Sequence, residues 1–143
     1  MAAGVNAPLY TIEILRLAGS LPSAEALEHI DGRSELRSPT CGSSVLTLVQ
    51  LEDGRVVAIS QSVRACAFGQ ASAALVAEHA VGRSREEIAD ALDALTAWLE
   101  GTRDDPGGWG LAALAPARSR QSRHGAIVLP FRALLAAVED ATS

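Results

Sequence analysis

The stretch VLTLVQLEDGRVVAISQSV, residues 45–63, constrains the fold more than any other part of the chain. Two runs dominated by Val, Leu, Thr and Ile flank Asp53-Gly54. That pair supplies the positive φ angles of a two-residue hairpin turn, so the stretch reads as two antiparallel strands. Upstream, RSELRS (33–38) reads as a short edge strand that ends at Pro39, because a residue before proline is held extended. The rest of the pattern is helical. Pro8 to Leu21 places Tyr10, Ile14, Leu17, Ala18 and Leu21 on one face, with Pro8 suited to a first helical turn. ACAFGQASAALVAEHAVG (65–82) reads as a helix closed by Gly82, with Phe68, Ala71 and Leu75 on one face. Ser84 and Glu87 form a capping-box pattern, opening a helix that aligns Ile88, Leu92, Leu95 and Leu99.

Beyond that helix, EGTRDDPGGWG (100–110) is a break rich in Gly, Asp and Pro. A short helix is expected over Leu111–Ala115, followed by a polar, basic loop, PARSRQSR (116–123). A last helix then carries Phe131, Leu134, Leu135 and Val138, with Pro130 near its start. Helix, strands, then helices predict an α+β fold: a small antiparallel sheet of about three strands with helices packed on one side.

The chain has 143 residues, enough for one domain spanning 1–143 that buries about 68–70% of its unfolded surface without a staple. Apolar residues make up 48% and aromatics only 3%, so the core must be built from Ala, Leu, Val and Ile. The formal charge of −5 argues against nucleic acid or an anionic membrane as partner, since phosphate binding needs clustered positive charge. No apolar run approaches a membrane span, and the N-terminal residues lack the order of a secretory signal, so the expected location is cytoplasmic. There is no glycine-rich phosphate loop, and Ser43 and Ser44 have no His–acid partner pattern around them.

Two cysteines remain as candidates for chemistry. Cys41 sits in SPTCGSS, a tight loop between two predicted strands, and Cys66 opens the helix after the hairpin. A helix start favours negative charge on the residue that opens it. Both lie at element ends, and the connectivity allows the two loops to share one end of the sheet. Buried small hydrophobes remain the alternative reading for both.

SPTCGS, DGRV, CAFGQASAALVAEHAVG and RHGAIVLPFRAL, in this order, resemble the IscU/NifU/SufU family of iron–sulfur cluster assembly scaffolds, from about Tyr10 to Val138. The resemblance implies a three-stranded antiparallel sheet with packed helices, and it identifies about 101–122 as an insertion of the SufU type, with Trp98 and Trp109 as its packing anchors. It further implies that Cys41 and Cys66 are the first two of the family's three cysteines and that His124 is the histidine beside the third. Two departures stand out. Ser43 replaces an aspartate of the first motif, and Gly125 occupies the position of the third cysteine.

The resemblance thus implies a non-enzymatic scaffold or carrier that binds iron, zinc or an Fe–S cluster through Cys41 and Cys66, with His124 as candidate third ligand. A cysteine desulfurase and other Fe–S assembly proteins are the implied partners. A closed site needs four ligands, so a homodimer pooling two Cys41–Cys66 pairs, or a ligand from a partner, is left open. The alternative is a degenerate member without metal that serves as an interaction module for a desulfurase or another scaffold. A third reading is a reversible Cys41–Cys66 disulfide, although no C-x-x-C motif accompanies it.

Overall fold

The computed structural model describes residues 10–39 and 42–142. Its elements, in order, are α1 (Ile12–Gly19), β1 (Gly32–Arg37), β2 (Ser44–Glu52), β3 (Arg55–Arg64), α2 (Ala67–His79), α3 (Arg85–Glu100), a 3-10 helix (Leu111–Ala117) and α4 (Gln121–Thr142). The strands form one antiparallel sheet in the order β1-β2-β3, as expected for α+β.

Asp53 and Gly54 both take positive φ, 53° and 77°, as a type I′ turn requires. The turn sets Glu52 opposite Arg55 and Leu51 opposite Val56. A bulge at Val57 then shifts the register, so that Gln50 faces Ala58. The shift matters because strand side chains alternate between faces. It turns Ile59, Gln61 and Val63 to the same face as Val49, Thr47 and Val45, and it sends Ser60, Ser62 and Arg64 to the other.

The helices cover the first of these faces. α2 is central: Phe68, Gly69 and Ala71 to Val76 are all buried. Its small residues let neighbours approach closely, as the alanine-rich composition predicts. α4 crosses the sheet, with Leu129 and Ala133 packed on Val45, Leu36 and Val63. Gly32 of β1 lies directly under the Ala137 carbonyl, where a Cβ would clash. On the opposite face, the Glu25 backbone N–H donates to Ser60 Oγ at 3.1 Å, so the connection after α1 covers the half of the sheet nearer the hairpin turn.

Three polar side chains run across the helix-facing side in one row: Ser34, Thr47 and Gln61. Ser34 donates to the Ala133 carbonyl at 2.6 Å and Gln61 Nε2 to the Ala73 carbonyl at 2.9 Å. Between them, the Thr47 hydroxyl and Gln61 Oε1 are buried without a hydrogen-bond partner.

Several sequence expectations shift. The first helix begins at Ile12, capped by Thr11, whose hydroxyl accepts from the Ile14 N–H at 3.1 Å; Pro8 lies outside the described residues. α2 stops at His79, and Gly82 (φ 93°) makes a separate turn beyond it. The capping box of Ser84 and Glu87 is formed on both sides. The short helix is a 3-10 helix that extends to Ala117. The main correction concerns α4. It starts at Gln121, so Gln121–Arg123 are helical rather than loop, and Pro130 sits inside the helix. Proline has no N–H to offer the preceding turn. The carbonyl that loses its helical donor is that of Ala126, four residues back; the next carbonyl, of Ile127, accepts the Ser72 hydroxyl of α2 at 2.6 Å, which ties this stretch of α4 to α2.

Candidate functional site

The sheet register brings the candidate elements to one end of the molecule. Ser44 opens β2 opposite Arg37, the last residue of β1, and Arg64, the last of β3. The β1–β2 connection and the start of α2 therefore leave the sheet at the same edge. Cys41 belongs to that connection and lies outside the described residues. Around it, the Ser38 N–H donates to the Ser43 carbonyl at 2.8 Å, and Gly42 takes φ 73°. Ser43, in the place of the motif aspartate, is buried.

Cys66 is the N-cap of α2, with extended backbone (φ −66°, ψ 174°). Its side chain makes no capping hydrogen bond, so the sulfur is not committed to the helix end. It is a free thiol, half-buried against the main core.

The start of α4 lies alongside the start of α2. A Cβ added to Gly69 would sit 3.2 Å from the Ala126 carbonyl oxygen, a spacing only glycine permits without movement. His124 is in the first turn of α4. Its Nε2 lies 2.9 Å from the Arg118 carbonyl and 3.2 Å from that of Ala117. Two carbonyl acceptors at one nitrogen require the proton to be there, so Nε2 is the donor and, in the neutral ring, Nδ1 is the nitrogen with the lone pair. A carbonyl holding the remote N–H is the arrangement that orients a metal-ligating imidazole. His124 stands between two adjoining clefts. One, of about 730 Å³, is lined by Leu99, Glu100, Arg120 and Gln121. The other, of about 290 Å³, is lined by Thr96, Val128, Arg132 and Gly125.

Gly125 is exposed and adds no donor side chain. Among the described residues, no three His, Cys, Asp or Glu side chains converge on a common point. These residues therefore supply one thiol and one oriented imidazole, short of the four ligands of a closed site. Arg118, grouped with Arg120 and Arg123 in the sequence as a basic cluster, is occupied otherwise. It donates to the Trp98 and Arg103 carbonyls and stacks over the Trp98 ring. Trp98 and Trp109 are both buried, Trp109 against Phe131 with ring centroids 5.2 Å apart.

A three-stranded antiparallel meander with α2 and a long C-terminal helix packed on one face defines the class, a small α+β fold. Known structures share this fold. The N-terminal part of a nitrogen-fixing NifU-like protein from Brucella abortus is 29% identical, with a TM-score of 0.87 over 94% of both chains. A candidate iron–sulfur cluster assembly scaffold protein for the SUF system from Fervidobacterium islandicum is 17% identical, with a TM-score of 0.79 over 91% of this chain and 96% of that one. No family model and no curated sequence matches the chain. The chain is IscU/NifU/SufU-like.

No helix among the described residues is long and apolar enough to cross a membrane.

Proposed function

We propose that this protein is a scaffold or carrier in iron–sulfur cluster assembly, taking iron, zinc or a cluster as cargo through Cys41 and Cys66 with His124 as third ligand. The observation that carries the reading is the His124 ring. Its Nε2 proton is tied to backbone carbonyls and its Nδ1 is left with a lone pair, at the same end of the fold as the uncommitted Cys66 thiol. The likeness to the NifU-like protein supports the assignment. Cys66 and Cys41 would bind as thiolates, and His124 as a neutral imidazole. With serine at 43 and glycine at 125, a fourth ligand must come from a second copy or a partner, so the cargo is held loosely and handed on readily. No step here makes or breaks a bond in an organic substrate; the role is that of a carrier within the cytoplasm, among a cysteine desulfurase and other assembly proteins.

A specific observation favours a second reading. Gly125, exposed in α4, brings no donor side chain to the position that the resemblance gives to a third cysteine, which suits a member that holds no metal and works as an interaction module for a desulfurase or another scaffold.

Iron, zinc and sulfide per chain, measured after purification and reconstitution without oxygen, separate the two. Stoichiometric metal that is lost in Cys41→Ser and Cys66→Ser supports the carrier, and sulfide content distinguishes a cluster from a lone ion. His124→Ala should weaken metal retention against a chelator by about tenfold, the scale at which a ligand or its orientation matters. Absence of metal from the wild type refutes the carrier and leaves the interaction module.

A further inference from the structure

Among the described residues, five of the chain's twelve arginines pair with a carboxylate, and Arg37 and Arg64 are two of the seven that do not. Arg33, Arg55, Arg83, Arg85 and Arg103 each have a carboxylate within 4.0 Å. Arg37 and Arg64 have none among the described residues, and both end their strands at the edge described above. They lie directly on either side of Ser44, on the sheet face away from the helices. Strand spacing places their backbones roughly 10 Å apart with the Ser44 hydroxyl between them.

Among the described residues, that end of the face is left uncovered. The connection after α1 covers the sheet as far as Leu46 and Ser62, which line a small cavity with Ala24 and Glu25. Past that row, Arg37, Gly42, Ser44 and Arg64 surround a depression of about 360 Å³, with Leu46 and Ser62 also in its wall. An arginine presents a planar fork of donors that matches a carboxylate bidentately. Two such forks without carboxylate partners among the described residues, flanking the Ser44 hydroxyl in a largely polar depression with Leu46 as its one aliphatic side chain, form a surface complementary to acidic side chains.

The structure assigns this depression as a docking site for an acidic segment of a partner protein, with Arg37 and Arg64 each receiving a carboxylate. Charge selects a peptide over a nucleic acid. The chain's formal charge of −5 disfavours the dense, continuous charge of a nucleic acid, and Glu35 in the wall limits the depression to the two carboxylates that Arg37 and Arg64 can receive directly. The inference uses neither Cys66 nor His124 and stands apart from metal binding.

The test is a titration of isotopically labelled protein with a hexaglutamate peptide, followed by backbone amide NMR. Amides at Arg37, Gly42, Ser44, Leu46 and Arg64 should move together. The double substitution Arg37→Gln with Arg64→Gln should weaken the peptide at least tenfold while the rest of the spectrum stays folded and metal content is unchanged. Arg16→Gln, an exposed arginine on α1, should change affinity less than twofold. Binding that survives the double substitution, or shifts centred elsewhere, overturns the assignment. Equal saturation by inorganic phosphate at the same concentration also overturns it, replacing a docking surface with a small-anion pocket.

Discussion

Replacing Thr47 by valine should stabilise this protein. Thr47 is fully buried in the middle of β2, and its hydroxyl has no hydrogen-bond partner. Its neighbours in the row, Ser34 and Gln61, each reach a helix carbonyl. A hydroxyl buried without a partner costs about 1–3 kcal/mol. Valine keeps the β-branch and the volume, so no cavity opens and strand preference is retained. Taking the lower end of that range, because neighbours relax, the gain is about 1 kcal/mol. For a chain of this size that raises Tm by about 3 °C. Urea unfolding at neutral pH reads it as a higher midpoint with an unchanged slope. Ser34→Ala is the control. It makes the same kind of chemical change where the hydroxyl donates at 2.6 Å, and it should cost about 1 kcal/mol. If Thr47→Val is less stable than wild type by 1 kcal/mol or more, the reasoning fails: the hydroxyl then has a partner, such as a buried water bridging it to Gln61.

Glu87 accepts the Ser84 backbone N–H and faces the Arg55 guanidinium, and these hold its carboxyl below the ordinary glutamate range. A lowered folded pKa stabilises above the unfolded value and is lost as pH falls through the folded one, so the Tm advantage of wild type over Glu87→Gln should be full at about pH 7 and close below about pH 4. Gly32→Ala puts a Cβ against the Ala137 carbonyl, rigid backbone on both sides, and should cost about 1–3 kcal/mol in urea unfolding; a neutral result would show that α4 lies further from β1 than described. Gly69→Ala meets Ala65 Cβ at 2.5 Å and the Ala126 carbonyl at 3.2 Å, so it should push the start of α4 from α2 and lower metal retention without removing a donor, whereas unchanged retention would separate His124 from the Cys66 end.

How much of this was legible depended on whether the determinant was local. The hairpin turn at Asp53-Gly54 and the Ser84–Glu87 capping box are set by residues a few positions apart, and both formed as read. The bulge at Val57 left a trace that periodicity alone did not decode: Val56 is buried in one phase of the alternation, and Ile59 and Val63 pack half-buried against the core in the other. Without the bulge Ser44 would oppose Val63, and the Arg37–Arg64 pairing would not exist. Pro130 was misread for a different reason. Proline favours a helix start because its missing N–H costs nothing there, and here the burial of Ile127, Pro130 and Phe131 in the core carries the helix through it instead. The candidate site was legible in part. The helix-opening position of Cys66 followed from the hairpin, and the structure places the histidine helix beside it. The tautomer of His124 depends on carbonyls of the preceding turn that no pattern announces. The identity of Gly125 was plain from the start, and its exposure in α4 adds no donor to replace a cysteine.

The interruption at Pro130 makes α4 mechanically two segments. The C-terminal part is clamped to the sheet through Ala133, Ala137 and Val138, while the first turns are joined to it across a missing rung and held laterally by the Ser72 hydroxyl. Opening of the first turn alone, Gln121–Gly125, whose side chains are exposed or half-buried, breaks few bonds and leaves the buried Ala126, Ile127 and Leu129 in place, so amides near His124 should exchange with solvent well before those near Leu134. A fold built this way can loosen its grip at one end, where the histidine sits, without giving up its stability at the other.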